Sequence, residues 1–417
     1  MRALRERVVG GLRGHTAHHA APVFAVGVAT VLGALAASAF QVIAARAVGV
    51  ANYGQLAAFL ALLNVAAFTS SALQNAVAVA SAGQGLIGEA RRGRVSEATI
   101  LGLSGGVVLA LLTPVLVHTL NTTPLVVLLA AAAIPLTFWV AQSLGLLQGA
   151  GRSTAAVWWT TNSLLIRVAL VLLCVALGLG VGAVLAAVLI SMAAAVVGAG
   201  LPARRLPRPR STVFSTNGQV VLGLSLLAAW LVNSDIIVVR ATAENVIAGN
   251  FASAAVLVKA AFTLPAALSI YLLPRFVRTR DNARLQWLGQ WVTIAVTAAA
   301  AVVLCLVFWL FGGEIAPLIL GSDYTGSVEF LLPLALAYVP WIVAQGVMIR
   351  LIAHASRSAL AVLGIGAAAQ VVGFVVVAPD ITGILWVQAV IGTAVLAALL
   401  HRVRGLDRAL VERSALT

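Results

Sequence analysis

Residues 201–217 read LPARRLPRPRSTVFSTN, and the sequence on either side of them is apolar almost without relief. Pro202, Pro207 and Pro209 cannot donate the backbone hydrogen bond a helix needs, and four arginines stand among them. The segment is therefore read as a polar linker. Of 417 residues, 62% are hydrophobic and only 9% charged, an apolar share well above that of soluble domains. A helix needs about 20 mostly apolar residues to cross a bilayer. Stretches of that length lie at 22–45, 54–79, 98–118, 124–147, 155–177 and 181–200 before the linker. After it they lie at 218–239, 248–274, 287–311, 328–350, 358–378 and 382–401. The expected fold is an all-α integral membrane protein of about twelve transmembrane helices in two six-helix bundles.

The domain boundaries follow. A basic N-terminal tail at 1–21 precedes the first bundle at 22–200, and the linker at 201–217 leads to the second bundle at 218–401 and a tail at 402–417. An even number of spans places both termini on one side. Arginines crowd both ends (Arg2, Arg5, Arg7, Arg13; Arg402, Arg404, Arg408, Arg413), which makes that side cytoplasmic. The loops assigned to the same side carry Arg91, Arg92, Arg94, Arg152, Arg204, Arg205, Arg208, Arg210, Arg275, Arg278, Arg280, Arg284 and Arg357, and the opposite loops carry Glu244, Glu314, Asp323 and Asp380, with Arg46 and Arg240 at the helix ends that feed them. The expected location is a cytoplasmic membrane. The net charge of +14 thus reports topology. A nucleic-acid reader would display its basic residues on a folded polar surface, so no nucleic-acid partner is expected.

Cys174 and Cys305 both fall in apolar spans and read as packing, with no metal site or cofactor implied. The two halves echo one another. Tyr53-Gly54 opens the second span much as Gly249-x-Phe251 opens the eighth, and Gly151-Arg152-Ser153 precedes the fifth as Ser356-Arg357-Ser358 precedes the eleventh. Two repeats of even helix number enter the membrane in parallel, an architecture suited to alternating access around a midplane cavity.

Ionisable side chains inside a span are costly and tend to face a cavity or a partner. Arg167 in the fifth span and Lys259 in the eighth lie near mid-depth, whereas Asp235 and Arg240 lie toward the outer end of the seventh and Arg46 ends the first. Arg46, Arg167, Arg240 and Lys259 are the candidate substrate-binding residues, with Asp235 a coupling or ion-pair candidate. An excess of positive charge in a low-dielectric cavity favours an anionic ligand such as a phosphate or pyrophosphate, which arginine grips bidentately. The bland reading makes Arg46 and Arg240 snorkel to headgroups with Asp235 paired to one of them, and puts Arg167 and Lys259 in interhelix ion pairs. Ser163, four residues from Arg167, and Asn233, seven from Arg240, share faces with these cations and are secondary candidates. The other span amides, Gln74, Asn75, Gln345, Gln370 and Gln388 among them, read as interhelix hydrogen-bonding groups. Pro114, Pro135, Pro265, Pro333 and Pro340 are candidate bends.

Several stretches resemble the polysaccharide transporter family of the multidrug, oligosaccharidyl-lipid and polysaccharide exporter superfamily. They are Arg46-Ala47-Val48-Gly49 with Asn52-Tyr53-Gly54, Gln148-Gly149-Ala150-Gly151-Arg152, Asn233-x-Asp235, Leu273-Pro274, and Leu320-Gly321-Ser322-Asp323-Tyr324. The resemblance implies a V-shaped, two-bundle transporter that moves a polyprenyl-pyrophosphate-linked oligosaccharide from the cytoplasmic to the outer leaflet. It also implies a polysaccharide polymerase or glycosyltransferases as partners. A cation-coupled multidrug exporter of the same superfamily is the alternative, although such exporters lean on membrane carboxylates and Asp235 is the one acid of that kind here. A major facilitator fits less well, because Glu89 in the Gly85–Arg94 loop stands four residues before Gly93 where three are expected. A glycosyltransferase or polymerase needs catalytic groups at the outer surface, and the outer loops are short, with no general base in the first. No catalytic residue is assigned.

Overall fold

The computed structural model describes the backbone of residues 2–83, 96–119, 122–208, 215–280, 282–320 and 326–416. Side chains are described within these segments, apart from those at 2–24, 42, 45–54, 57, 68, 119, 245, 320 and 408–416. No strand occurs among the described residues. Among the described residues ten helices are long and apolar enough to cross a membrane, and two shorter apolar helical stretches, Ala25–Gln41 and Glu97–Leu111, bring the tally to the expected number.

Helix α1 runs unbroken from Arg2 to Gly83. Its apolar stretches Ala25–Gln41 and Ala58–Gly83 match the first two expected spans, but the backbone between them, expected as an outer loop, is helical. That interval has Gly49 and Gly54 but no proline, and a glycine weakens a helix by only about 1 kcal/mol relative to alanine. There follow α2 (Glu97–Leu111), α3 (Thr113–Thr119), α4 (Pro124–Gly149), α5 (Ser153–Ala176), α6 (Val181–Ala203) and α7 (Thr216–Thr242). The remaining helices are α8 (Asn245–Lys259), α9 (Thr263–Arg278), α10 (Ala283–Leu320), α11 (Val328–Ala353), α12 (Arg357–Val377) and α13 (Ile381–Leu416). Helix α13 continues well past residue 401, where the last span was expected to end, because a polar helix leaving the bilayer meets no proline to stop it.

The chain forms two compact units, Met1–Ala67 with Arg91–Pro207, and Phe68–Ala90 with Arg208–Thr417. In the first, α4 packs against α2, α5 and α6. Gly102 and Gly106 of α2, one helical turn apart, face Pro135 and Ala131 of α4, and a Cβ at either glycine would come within 2.9 Å of the α4 backbone. Small residues at this spacing let two helices approach closely in lipid, where packing rather than the hydrophobic effect drives association. Phe40, Phe59, Val126, Val171, Cys174 and Leu185 form part of the core of this unit.

In the second unit α11 is the most buried span, enclosed by α7, α8, α9, α10 and α13. The five prolines expected to bend helices divide into two kinds. Pro135, Pro333 and Pro340 sit inside continuous helices. Pro114 follows the α2–α3 interruption at Leu112, and Pro265 follows a short 3₁₀ turn, Ala260–Phe262, that separates α8 from α9. A proline ring clashes with the carbonyl four residues back. For Pro265 that carbonyl belongs to Ala261, in the middle of the 3₁₀ turn.

Candidate functional site

The two deep cations lie in different units and have different company. In the first unit, Gly198 of α6 faces Trp159 of α5 so closely that an added Cβ would fall 2.1 Å from the indole. This approach brings the polar residues of α5 onto α6. The Ser163 hydroxyl donates to the Ser191 carbonyl (3.3 Å), and Arg167 Nε donates to Ser191 Oγ (3.2 Å). Ser191 in turn donates to the Val188 carbonyl (2.7 Å). The guanidinium carbon of Arg167 lies 5.4 Å from the Phe40 ring centroid, a cation–π contact. Two ion pairs occur among the described residues and neither includes Arg167. A guanidinium carries five N–H donors. Among the described residues only the one on Nε has a hydrogen-bond partner.

In the second unit Lys259, the last residue of α8, reaches across to α7. Its ammonium stands 3.0 Å from Asp235 Oδ1, with the Asp235 side chain wholly buried and that of Lys259 13% exposed. Tyr338 of α11 donates its hydroxyl to Asp235 Oδ2 (2.6 Å) and lies close to the Val232 carbonyl (2.8 Å). Its ring lies 5.2 Å from the Lys259 ammonium and meets Phe262 edge-on at 5.7 Å. Both carboxylate oxygens of Asp235 therefore have partners, and the charges cancel locally. Beside this group, Ser234 donates to Gln370, whose amide donates to Gln388 Oε1 and the Leu231 carbonyl, and Gln388 donates to the same carbonyl. Gln370 and Gln388 thus join α7, α12 and α13, as expected of interhelix hydrogen-bonding groups.

A cleft of about 360 Å³ opens within the second unit, next to this ion pair. Its walls come from the end of α1 (Ser71, Gln74, Asn75), from α7 (Ser225, Val232, Asn233), from the 3₁₀ turn and α9 (Phe262, Pro265, Ser269) and from α11 (Gln345, Ile349). No ionisable side chain lines it among the described residues. Asn75 donates to Ser225 (3.2 Å) and Asn233 to the Ala229 carbonyl (2.8 Å).

Of the residues singled out from sequence, the structure joins Asp235 to Lys259, joins Arg167 to Ser163 through Ser191, and places Asn233 in the cleft wall. Arg240 is exposed in the last turn of α7. The side chain of Arg46 lies outside the described residues, as do the 84–95 loop and Gly321 to Tyr324. Sequence reasoning missed Tyr338, although a hydroxyl in a proline-rich apolar span was a usable signal. It also missed Arg350, fully buried on α11 and paired with Asp407 of α13 at 2.6 Å. Arg350, the last residue of an expected span, was the signal there; Asp407 gave none, since it stood in an expected tail.

This helix arrangement is that of a known class of membrane transporter. An outward-facing multidrug resistance MATE family transporter of the MOP superfamily matches with a TM-score of 0.72 at 12% identity, over 94% of this chain and 96% of that one. A MATE in complex with MaL6 gives 0.73 at 13%, over 94% and 97%. The Vibrio cholerae MATE transporter VcmN in its bent form gives 0.67 at 12%, over 94% and 98%. At such identities the likeness is one of fold, and the protein is a multi-pass membrane protein built on that transporter fold. The family model described as polysaccharide biosynthesis protein matches residues 20–280, more than half of the chain, and the chain belongs to that family. No curated protein sequence matches it significantly.

Proposed function

We propose that this protein carries a polyprenyl-pyrophosphate-linked oligosaccharide from the cytoplasmic to the outer leaflet of the cytoplasmic membrane by alternating access, supplying cell-surface polysaccharide assembly. Arg167 carries the reading: a cation deep in a span, without an acidic partner among the described residues, that keeps four of its five N–H donors unengaged by protein. An unpaired cation in a span is expensive unless a counter-charge visits it. A pyrophosphate does so with the paired oxygens that a planar guanidinium fits. The family supports a polysaccharide cargo, and solved relatives of this fold in outward-facing and bent forms support alternating access. In this scheme both termini are cytoplasmic, and the exposed Arg240 stands near the outer surface as a second contact for the carrier's phosphates.

The test is leaflet translocation of a fluorescent polyprenyl-pyrophosphate oligosaccharide by the purified protein in liposomes. Arg167→Ala should reduce the rate at least about a hundredfold, of the order seen when a charge-stabilising donor is removed. Arg167→Lys should restore part of it. Unchanged translocation in Arg167→Ala overturns the assignment. The second reading, export of lipophilic cations, is favoured by the multidrug resistance relative. It would need a carboxylate free to receive the cation, and both oxygens of Asp235 are engaged. Efflux of such a cation by the same liposomes, without lipid translocation, would select it.

A further inference from the structure

We infer that the cleft in the second unit is a neutral-sugar subsite, built to hold uncharged, polyhydroxylated rings of the cargo apart from its pyrophosphate. This rests on the reading of the cargo proposed above.

The inference begins with Gln345. Along α11 every residue from Pro340 to Ala353 is buried except Gln345, whose side chain reaches the cleft. No hydrogen bond joins its amide to another described residue, in contrast to Gln370 and Gln388, which are fully knitted into neighbouring helices. An amide on the most buried helix of a membrane protein is costly unless a partner meets it. Around it the cleft offers more unused capacity of the same kind. Among the described residues, Asn75 and Asn233 spend an N–H each and keep their carbonyl oxygens, Ser225 accepts from Asn75 and donates to none, and Ser71 meets no hydrogen-bonding partner.

The charge pattern narrows the ligand. An anionic group would call for arginine or lysine in the wall, and a cationic one for a carboxylate; neither stands among the described lining residues. The nearby Lys259 and Asp235 neutralise one another outside the cleft lining. Mixed donors and acceptors facing one space match a polyol, whose every hydroxyl is both donor and acceptor. Phe262, at the helix break, adds an apolar face of the kind on which a sugar ring's C–H groups pack. The volume of about 360 Å³ falls at the lower end of small-molecule sites, which run from roughly 300 to 1,000 Å³.

The experiment uses the full chain in nanodiscs and three probes: bare polyprenyl pyrophosphate, the same carrier bearing a neutral disaccharide, and an alkyl disaccharide without phosphate. The unsubstituted protein should bind the sugar-bearing carrier about tenfold more tightly than the bare one, the worth of one or two net hydrogen bonds. Gln345→Leu should shrink that preference to within about twofold and weaken the alkyl disaccharide equally, without touching the bare carrier. Ser225→Ala is the milder variant if Gln345→Leu does not fold. Equal binding of the two carriers by the unsubstituted protein overturns the subsite, and so does a preference that survives both substitutions. The cargo reading fails separately. If neither carrier binds but the alkyl disaccharide does, and Gln345→Leu abolishes it, the cleft is a sugar site and the pyrophosphate assignment falls.

Discussion

Arg167 and Lys259 pose the same problem to a membrane protein, a permanent positive charge deep within a span, and the two units answer it differently. Lys259 is met by a buried carboxylate, which is itself held by Tyr338, so three helices are tied through one neutral cluster. Arg167 has a serine hydroxyl, an aromatic face and no acid among the described residues. A charge with an internal counter-charge belongs to the architecture of the protein. One without it is, on the function proposed above, met by the cargo.

Substitutions that strand a charge probe this contrast most severely. Asp235→Ala leaves Lys259 nearly buried and unpaired, a loss expected to cost about 3–5 kcal/mol. Thermal unfolding of the purified protein in detergent should show the drop, and adding Lys259→Met should recover most of it. A stable Asp235→Ala protein would mean that Lys259 finds another partner and that the two cations are alike after all. Tyr338→Phe keeps the ring against Lys259 and Phe262 but removes a hydrogen bond to a charged group, worth about 1.5–3 kcal/mol. The same melt measures it, and an unchanged midpoint would detach Tyr338 from the cluster. Arg167→Ala removes one long hydrogen bond and one cation–π contact, so its stability should change by no more than about 1 kcal/mol while translocation collapses. If Arg167→Ala instead unfolds the protein as readily as Asp235→Ala, Arg167 is structural and the contrast disappears.

Much of the fold was legible because its cause is local. A run of apolar residues long enough to span lipid announces itself, and each expected span has an apolar helical stretch at its position. Helix ends were less legible: α1 continues through 46–53 and α13 beyond 401, because glycine and charge weaken a helix without forbidding it. Prolines were ambiguous for the same reason, since Pro265 and Pro114 adjoin interruptions while Pro135, Pro333 and Pro340 are absorbed. The site was legible as an inventory only. Lys259, Asp235, Arg167, Asn233 and Gln345 stood out as polar groups in apolar surroundings. Which of them meet depends on contacts across 24 residues for Lys259 and Asp235 and 103 for Tyr338 and Asp235. No periodicity encodes those separations.

Pro265 has no amide hydrogen to offer the carbonyl of Ala261, so at the α8–α9 break that acceptor loses its α-helical partner and takes the Thr263 N–H at the end of the 3₁₀ turn instead. Backbone that departs from the α-helix at membrane depth survives only against protein or water. Phe262 and Pro265 open onto the cleft. The break thus sets a joint rather than a straight rod into that wall of the cleft, where a small change of angle between α8 and α9 would alter the width of the cavity.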